Sequence, residues 1–257
     1  MNTYNSTIRQ TLTGDHEKTT FGSRPFRWLR AGWDDVVSSP ANSLALGLAF
    51  TALCFAAYSA ATNFPMFSIT YLTLLLAASP FLATTAYFIA RQIEQGAQPS
   101  LPDSVREMRN RALSIGLFSL LSALMVAAWV RLSSIAFALY FGTLGVDQAH
   151  LARTWTAGFE MPAMLVFVGI VGIVLGLTLF AVSALALPFI ADRNDNLVNA
   201  VRTSLETLRS NASTMAVWML LTVALLALAL VTDLLLMPVI FPLLAYATWH
   251  SYRDLCQ

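Results

Sequence analysis

"MAVWMLLTVALLALALVTDLLLMPVIFPLLAYAT", residues 215–248, contains a single charged residue, Asp233, in thirty-four positions. Because an α-helix rises 1.5 Å per residue, about 20 apolar residues cross the hydrocarbon core of a bilayer. The stretch is too long for one crossing. Divided at Asp233, it gives two crossings of about seventeen residues each, near the lower limit for a span. It therefore predicts a membrane helical hairpin that turns at Asp233.

The composition of the whole chain is also that of a membrane protein. Hydrophobic residues make up 57% of the 257 residues and charged residues 11%, whereas soluble domains contain about 25% charged residues. No segment outside the apolar runs is long enough for a soluble catalytic domain. Nucleic-acid binding is not expected either, because the sequence has no soluble domain that could carry a basic stripe. We therefore expect a lipid bilayer as the main partner of the chain.

Four further apolar runs precede the hairpin, at 43–62, 67–90, 112–130 and 161–188. With the hairpin they predict an all-α, polytopic membrane helix bundle of six transmembrane helices. Residues 1–23 are rich in Thr, Ser, Asn and Gly, which predicts a disordered cytoplasmic tail. Residues 24–257 form a single integral-membrane helical domain in this interpretation, with 143–160 as the longest loop.

Short amphipathic segments lie between the apolar runs. Phe26, Leu29, Trp33 and Val36 recur at helical spacing, which predicts a helix on the membrane surface. The segment 192–211 has a similar pattern. "SLPDS", residues 100–104, predicts the start of another helix.

Arginine placement predicts the orientation, because short loops rich in Lys and Arg remain in the cytoplasm. Thirteen of the fifteen basic residues fall on one side of the predicted topology, and only Arg131 and Arg153 fall on the other. Both termini should therefore be cytoplasmic.

An internal repeat relates two of the predicted helices. "PFLATTAYFIARQ" (80–92) aligns with "PLLAYATWHSYRD" (242–254), each having a proline, an aromatic residue seven positions later and an arginine four positions after that. "LPFIADR" (187–193) is a shorter version, so the chain could consist of three units, each a surface helix followed by a helical hairpin. Aromatic and arginine side chains one turn apart are typical of the membrane interface. We predict these interfacial anchors: Trp33, Tyr87, Arg91, Trp249 and Arg253.

The last helix differs from its repeat partner by a polar cluster. Tyr246, His250 and Asp254 are spaced four residues apart and share one helix face. A carboxylate one turn from an imidazole favours the protonated imidazole, so the pair could relay protons or sense pH. The simpler interpretation, which we favour, is an ion pair at the membrane edge beside the anchors.

Two ionisable residues fall close to apolar runs. Arg131 follows Trp129 and either extends to the interface from the end of its helix or faces a polar cavity. Asp233 either occupies the outer turn of the hairpin or is buried, where it would be the best candidate for a transported proton. The interface for Arg131 and the turn for Asp233 are the simpler interpretations.

Small residues and possible metal ligands complete the candidates. Gly169, Gly172 and Gly176 predict a helix face suited to close packing, within one chain or between chains. Asp147 and His150 have metal-compatible spacing, but two ligands are too few to predict a site. Phosphate-binding, serine-hydrolase and zinc-protease motifs are absent, and three histidines are too few for haem and copper centres. We therefore predict no cofactor and no catalytic residues.

Several segments resemble a bacterial inner-membrane family known as domain of unknown function 2189. They are "GWDDVVSSPANSLALGL" (32–48), "LPFIADRNDNLVNAVRTSLETLRSN" (187–211), "MAVWMLL" (215–221) and residues 242–254, with "GWDD" (32–35) and "ATWHSYRDL" (247–255) the most specific. The resemblance extends from about residue 25 to the end. It implies a multi-helix inner-membrane protein without an established activity, and an accessory role near respiratory complexes is compatible with it.

Two classes of function follow. The first is a membrane protein without catalytic activity that is an accessory, assembly or scaffold factor for other membrane proteins, as the small-residue face and the missing catalytic motifs suggest. The second is a small-solute or ion transporter, with a site near the helix-breaking prolines Pro80, Pro188, Pro238 and Pro242. We favour the first class, because transporters carry more polar residues at membrane depth.

Overall fold

The computed structural model describes residues 23–144, 163–193 and 195–256, and these ranges contain helices and no strand. The predicted tail lies outside them except for Ser23, as does most of the predicted loop 143–160. The α-helices are α1 Ser23–Ser38, α2 Pro40–Asn63, α3 Ser68–Glu94, α4 Leu101–Asn110, α5 Ala112–Leu144, α6 Ala163–Ser183, α7 Ala186–Arg193, α8 Leu197–Ser210, α9 Ala212–Val231 and α10 Met237–Cys256.

Five helical segments are long and apolar enough to cross a membrane, which confirms a polytopic helical bundle. They are Pro40–Asn63, Thr70–Glu94, Ala112–Ala136, Val166–Arg193 and Ala212–Val231. The sequence predicted six. The exception is α10, which runs from the Asp233 turn back to the arginine-rich end but is less apolar than the five spans, and whose Tyr246, Trp249 and Tyr252 are fully buried in protein. Because protein rather than lipid surrounds this half of α10, it has kept polar residues that a lipid-facing helix would exclude.

The C-terminal hairpin turns where the sequence predicted. Helix α9 ends at Val231 and α10 begins at Met237. In the turn, Asp233 and Leu234 have φ values of 48° and 64°, the left-handed region that reverses the chain after a helix. Asp tolerates this conformation better than most residues do.

The helices form three units, as the repeat predicted: α1–α3, α4–α7 and α8–α10. In each unit a short amphipathic helix leads into a long apolar helix across a single non-helical residue, which is Ser39, Arg111 or Asn211. The predicted helix start at "SLPDS" is correct, because the Ser100 side chain accepts a hydrogen bond from the backbone N–H of Asp103 and caps α4.

Burial recurs at fixed distances from these three junction residues. Seven positions before each junction lies a small buried residue: Gly32, Ser104 or Ser204. Seven positions after each junction lies a large buried residue: Leu46, Phe118 or Trp218. The same positions therefore face the core in all three units, although the side chains differ.

The small residues lie where each amphipathic helix packs on the unit before it. Helix α4 packs on α3, and Ser104 Oγ accepts a hydrogen bond from Gln92 Nε2 at 3.2 Å. Helix α8 packs on α6 and α7, and Ser204 Oγ donates to the Ala181 carbonyl at 2.8 Å. Helix α1 has no earlier unit, and it packs on α10 of the last one. The three units are thus joined in a closed ring.

The buried core lies where the ends of the three hairpins meet. The segments 84–90, 184–191 and 245–247 are buried, together with Trp249 and Tyr252, and they belong to one cluster. The opposite ends of the spans carry many exposed apolar side chains. The core is therefore at the arginine-rich end of the bundle.

Candidate functional site

The predicted polar cluster on α10 faces α1 and α2, and each member contacts a different residue there. Tyr246 is fully buried, and its hydroxyl lies 3.0 Å from Ser43 Oγ, which is also buried. Ser43 comes four residues after the junction at Ser39, so it lies in the first turn of the first span. This hydrogen bond ties α10 to the start of α2.

His250 is paired with Asp35 of α1, and the distance from His250 Nε2 to Asp35 Oδ2 is 2.8 Å. The two side chains are 23% and 11% exposed. The sequence suggested Asp254 as the acidic neighbour of His250, because the two lie one turn apart on α10. The structure differs, because α1 crosses α10 at this point and brings Asp35 to the imidazole.

Asp254 instead binds the beginning of α1. Its Oδ2 accepts hydrogen bonds from Arg24 Nε and Trp28 Nε1, both at 2.9 Å. Burial by itself would raise the pKa of Asp254, but the bonds from Arg24 and Trp28 and the charge of Arg27 outweigh it and hold this pKa below its ordinary value. The carboxylate is therefore a stable ionic contact between the first and last described helices.

Glu94, at the end of α3, joins the same cluster. Its carboxylate accepts a hydrogen bond from Trp249 Nε1 at 3.3 Å and one from Arg253 Nε at 2.9 Å. Arg91, one turn earlier, bonds Glu107 of α4 at 3.1 Å. The two arginines predicted as anchors therefore bind carboxylates of the protein.

The predicted aromatic anchors have different environments. Tyr87 is 5% exposed and Trp249 is fully buried, and their rings stack with centroids 6.3 Å apart. Neither ring can reach lipid headgroups, so the interfacial interpretation is wrong for both. The repeat places them at the meeting point of the hairpins, where aromatic rings fill the core. Trp33 is 49% exposed, and its role at the interface stays a prediction.

An open cavity of about 400 Å³ lies between α1, the end of α3 and α10. Its charged or titratable lining consists of Arg27, Glu94, His250, Arg253 and Asp254. Four of these five are already engaged by Asp35, Arg24, Trp249 or one another. Only Arg27 forms no ion pair with any residue that the structure describes. The cavity is thus bordered by structural ion pairs rather than by a free acid and base.

The two ionisable residues that could have been buried are exposed. Asp233 lies in the hairpin turn, and Arg131 lies on the surface of α5, which continues without a break to Leu144. The turn is therefore the correct interpretation for Asp233. Burial of either side chain, the alternative for a transported ion, is not seen.

Of the three glycines on α6, one makes a close contact within the chain. A Cβ at Gly172 would lie 3.0 Å from Trp129 Nε1, so this glycine allows α5 and α6 to approach. A Cβ at Gly169 or Gly176 would have open space around it. An apolar groove runs beside Gly172 and Gly176 and is lined by Met125, Val126 and Leu179.

The described residues contain no candidate metal site. Asp147 and His150 lie outside the described residues. Within 23–144, 163–193 and 195–256, no three His, Cys, Asp or Glu side chains are grouped as metal ligands.

Sequence reasoning missed the partners of the α10 cluster, namely Arg24, Asp35, Ser43 and Glu94. A signal existed for two of them, because Asp35 and Ser43 lie in the segment 32–48 that resembled the family. The pairing itself was not readable, since it depends on α1 closing the ring on α10 from the other end of the chain. The repeat shows which helices are equivalent, and it does not show which residues of α1 and α2 lie opposite α10.

Comparison with known proteins gives one match. The model of the family described as "Predicted integral membrane protein (DUF2189)" matches residues 67–192, from the start of α3 to the end of α7. The segments 32–48 and 242–254, which carried much of the resemblance, lie outside this match. No curated protein and no solved structure shows significant similarity. The chain is therefore a multi-pass integral membrane protein, and its residues 67–192 match this family of predicted integral membrane proteins.

Proposed function

We propose that this protein is a non-catalytic accessory or assembly factor that holds other membrane proteins in a bacterial inner membrane, with both termini in the cytoplasm. The orientation rests on the arginine-rich end of the bundle, which the positive-inside rule assigns to the cytoplasm. Partners near respiratory complexes are compatible with this role.

The observation that carries the proposal is the uneven burial of the helices. At the arginine-rich end, three hairpin ends and three amphipathic helices form one core. Beyond it, four of the five spans have only 17–22% of their most apolar window buried within the chain. A fixed core with exposed apolar helices beyond it offers surface to lipid and to helices of partner proteins.

The exposed glycines on α6 support docking of another helix. Small residues let transmembrane helices approach closely, because no hydrophobic effect drives association inside lipid. Gly169 and Gly176 have no neighbour in the described chain that would explain their small size. They lie on the same helix as Gly172, whose contact with Trp129 shows what such a position does when a neighbour is present.

The test is copurification of the full chain in mild detergent, followed by mass spectrometry. We expect a membrane protein in stoichiometric amount with the wild type. A Gly169→Leu, Gly176→Leu variant should keep its own stability and lose that partner, because the added side chains fill the docking surface. Val166→Leu, on an exposed part of the same helix, is the matched control. No stoichiometric partner with the wild type would contradict the proposal.

The alternative is a small-solute or ion transporter with a site at the proline breaks. Proline removes the hydrogen bond to the carbonyl four residues earlier, but Ser79 Oγ donates to the carbonyl freed by Pro80, on Leu76, at 3.0 Å. The carbonyl freed by Pro242, on Pro238, packs against Gly47. Solute or proton uptake by vesicles that contain the purified chain, with no protein partner copurifying, would favour transport.

A further inference from the structure

We propose that the outer face of α1 binds the headgroup layer of anionic phospholipids. This α1 outer face consists of the apolar side chains Phe26, Trp33 and Val37 and the charged side chains Arg27, Arg30 and Asp34. The proposal rests on the integral-membrane assignment and does not depend on the accessory role proposed above.

The α1 outer face is an exposed apolar stripe. Residues 26, 30, 33 and 37 follow the spacing that puts side chains on one side of an α-helix. Phe26 is 57% exposed, Trp33 49% and Val37 60%. Three large apolar side chains in a row would be unfavourable in water, whereas the boundary between headgroups and acyl chains accommodates aromatic and apolar groups beside charged ones.

Charge selects the kind of lipid. Arg27 and Arg30 are exposed and form no ion pair with any described residue, while Arg24 on the opposite side of α1 is bound to Asp254. A guanidinium group matches the geometry of phosphate oxygens. Asp34 is also exposed on this face, so the face carries a net charge of +1. Two exposed arginines that form no ion pair with a described residue favour anionic headgroups, and one carboxylate reduces this preference.

The rest of α1 fixes the position of this face. The opposite side of the helix is held on α10 by the Asp254 contacts with Arg24 and Trp28 and by the pair of Asp35 and His250. The helix is therefore already ordered before lipid binds, and no folding cost reduces the affinity. Val37 lies three residues before Pro40, where the first span begins. The stripe is thus continuous with the membrane boundary, which favours lipid over a soluble partner.

The test uses the purified full chain in mixed micelles with equal amounts of phosphatidylglycerol and phosphatidylcholine, and native mass spectrometry measures the ratio of the two bound lipids. Each arginine near an anionic surface contributes about a fivefold preference. The Arg27→Gln, Arg30→Gln variant should therefore lower the ratio by about fivefold per arginine, and Asp34→Asn should raise it. Added salt should reduce the ratio for the wild type and affect the double variant less.

Arg202→Gln is the matched control, because Arg202 is exposed on another amphipathic helix but is already paired with Glu206 at 2.7 Å. It should leave the lipid ratio unchanged. The proposal is overturned if the arginine variant binds both lipids as the wild type does, or if Asp34→Asn and the arginine variant change the ratio in the same direction. Loss of a protein partner with an unchanged lipid ratio would likewise overturn it, and would assign the face to protein binding.

Discussion

Asp35 and His250 are 215 positions apart in the chain, and their side chains meet at 2.8 Å. The contact joins the amphipathic helix of the first unit to the last helix of the third unit. The equivalent position in the second unit has a different partner. Asp35 lies four residues before the junction residue Ser39, and Glu107, four residues before Arg111, pairs with Arg91. Among the described residues, an aspartate–histidine hydrogen bond therefore contributes to the interface that closes the ring, whereas a glutamate–arginine ion pair lies at the equivalent position between the first and second units.

Breaking this pair should loosen α1 from α10. We expect Asp35→Ala and His250→Ala each to destabilise the protein, because each leaves a mostly buried polar partner unsatisfied. A double-mutant cycle measured by unfolding in mixed micelles should give a coupling of about 1.5 kcal/mol or more, the usual range for hydrogen bonds to charged groups. Limited proteolysis should show earlier cleavage around α1 in both variants.

The control cycle uses Arg202 and Glu206, which pair at 2.7 Å but are 76% and 60% exposed. Exposed pairs of this kind contribute little, so the control coupling should be close to zero. An equally small value for the Asp35 and His250 cycle would mean that this pair contributes little to holding α1 on α10.

Gly47 should be intolerant of any side chain. A Cβ at this position would overlap the carbonyl of Pro238, which Pro242 has freed from its helical hydrogen bond. Gly47→Ala must separate α2 from α10, and overpacking of this kind costs about 1–3 kcal/mol. Gly176→Ala is the control, because a Cβ there has open space. Thermal unfolding in detergent should show a lower midpoint for Gly47→Ala than for Gly176→Ala, and equal midpoints would contradict this close approach.

The helices and units were largely predictable from the sequence, because lipid imposes a length and an apolar composition on each span. The turn at Asp233 followed from the one charge in a long apolar run. Helix α10 was harder to classify: its first half is as apolar as a span, but Trp249 and Tyr252 are buried in protein. Hydropathy does not distinguish burial in protein from burial in lipid.

The partners within the site could not be predicted for a related reason. Aromatic residues one turn from arginines, such as Trp249 and Arg253, have the same pattern at a lipid interface and in a protein core. The packing of the three units distinguishes the two environments, because it places Glu94 beside both Trp249 and Arg253. Helical spacing shows which residues share a face, as it did for Tyr246, His250 and Asp254. It does not show what lies opposite that face.

Stability should depend on Asp254 in a pH-dependent way. Its pKa is lowered in the folded protein, so the unfolded chain takes up the proton first as the pH falls. The contribution of this carboxylate is therefore complete above about pH 4, near the ordinary aspartate pKa, and is lost as the pH falls through the lower folded value. Asp254→Asn should be less stable than the wild type at pH 7, and this difference should shrink as the solution is acidified.

The measurement is the unfolding midpoint of both proteins in an acid-stable detergent at several pH values. Asp195→Asn is a suitable control, because Asp195 contacts only its close neighbours Asn196 and Asn199 among the described residues. A gap between the wild type and Asp254→Asn that stayed constant down to the most acidic sample would contradict the lowered pKa.

Chemical labelling can test the orientation. If the arginine-rich end is cytoplasmic, a cysteine placed at the exposed turn residue Leu235 should react with an impermeant thiol reagent added to intact cells. A cysteine at Arg106 on α4 should react only after the inner membrane is opened. Both experiments need a background in which Cys54 and Cys256 are replaced by serine. The reverse labelling pattern would place both described ends of the chain outside the cytoplasm.

Glycine at position 233 of the hairpin turn should raise the free energy of unfolding. Asp233 has a φ of 48°, and a left-handed conformation costs a residue with a Cβ roughly 1 kcal/mol, somewhat less for Asp. Asp233 is exposed, so Asp233→Gly removes this strain without removing a buried contact. We expect a gain of up to about 1 kcal/mol in the free energy of unfolding. Thr232→Gly is the control: Thr232 has a φ of −93° and donates to the Leu228 carbonyl, so the same substitution there should destabilise. A loss of stability in Asp233→Gly as large as that in Thr232→Gly would mean that the Asp233 carboxylate has a structural role in the turn.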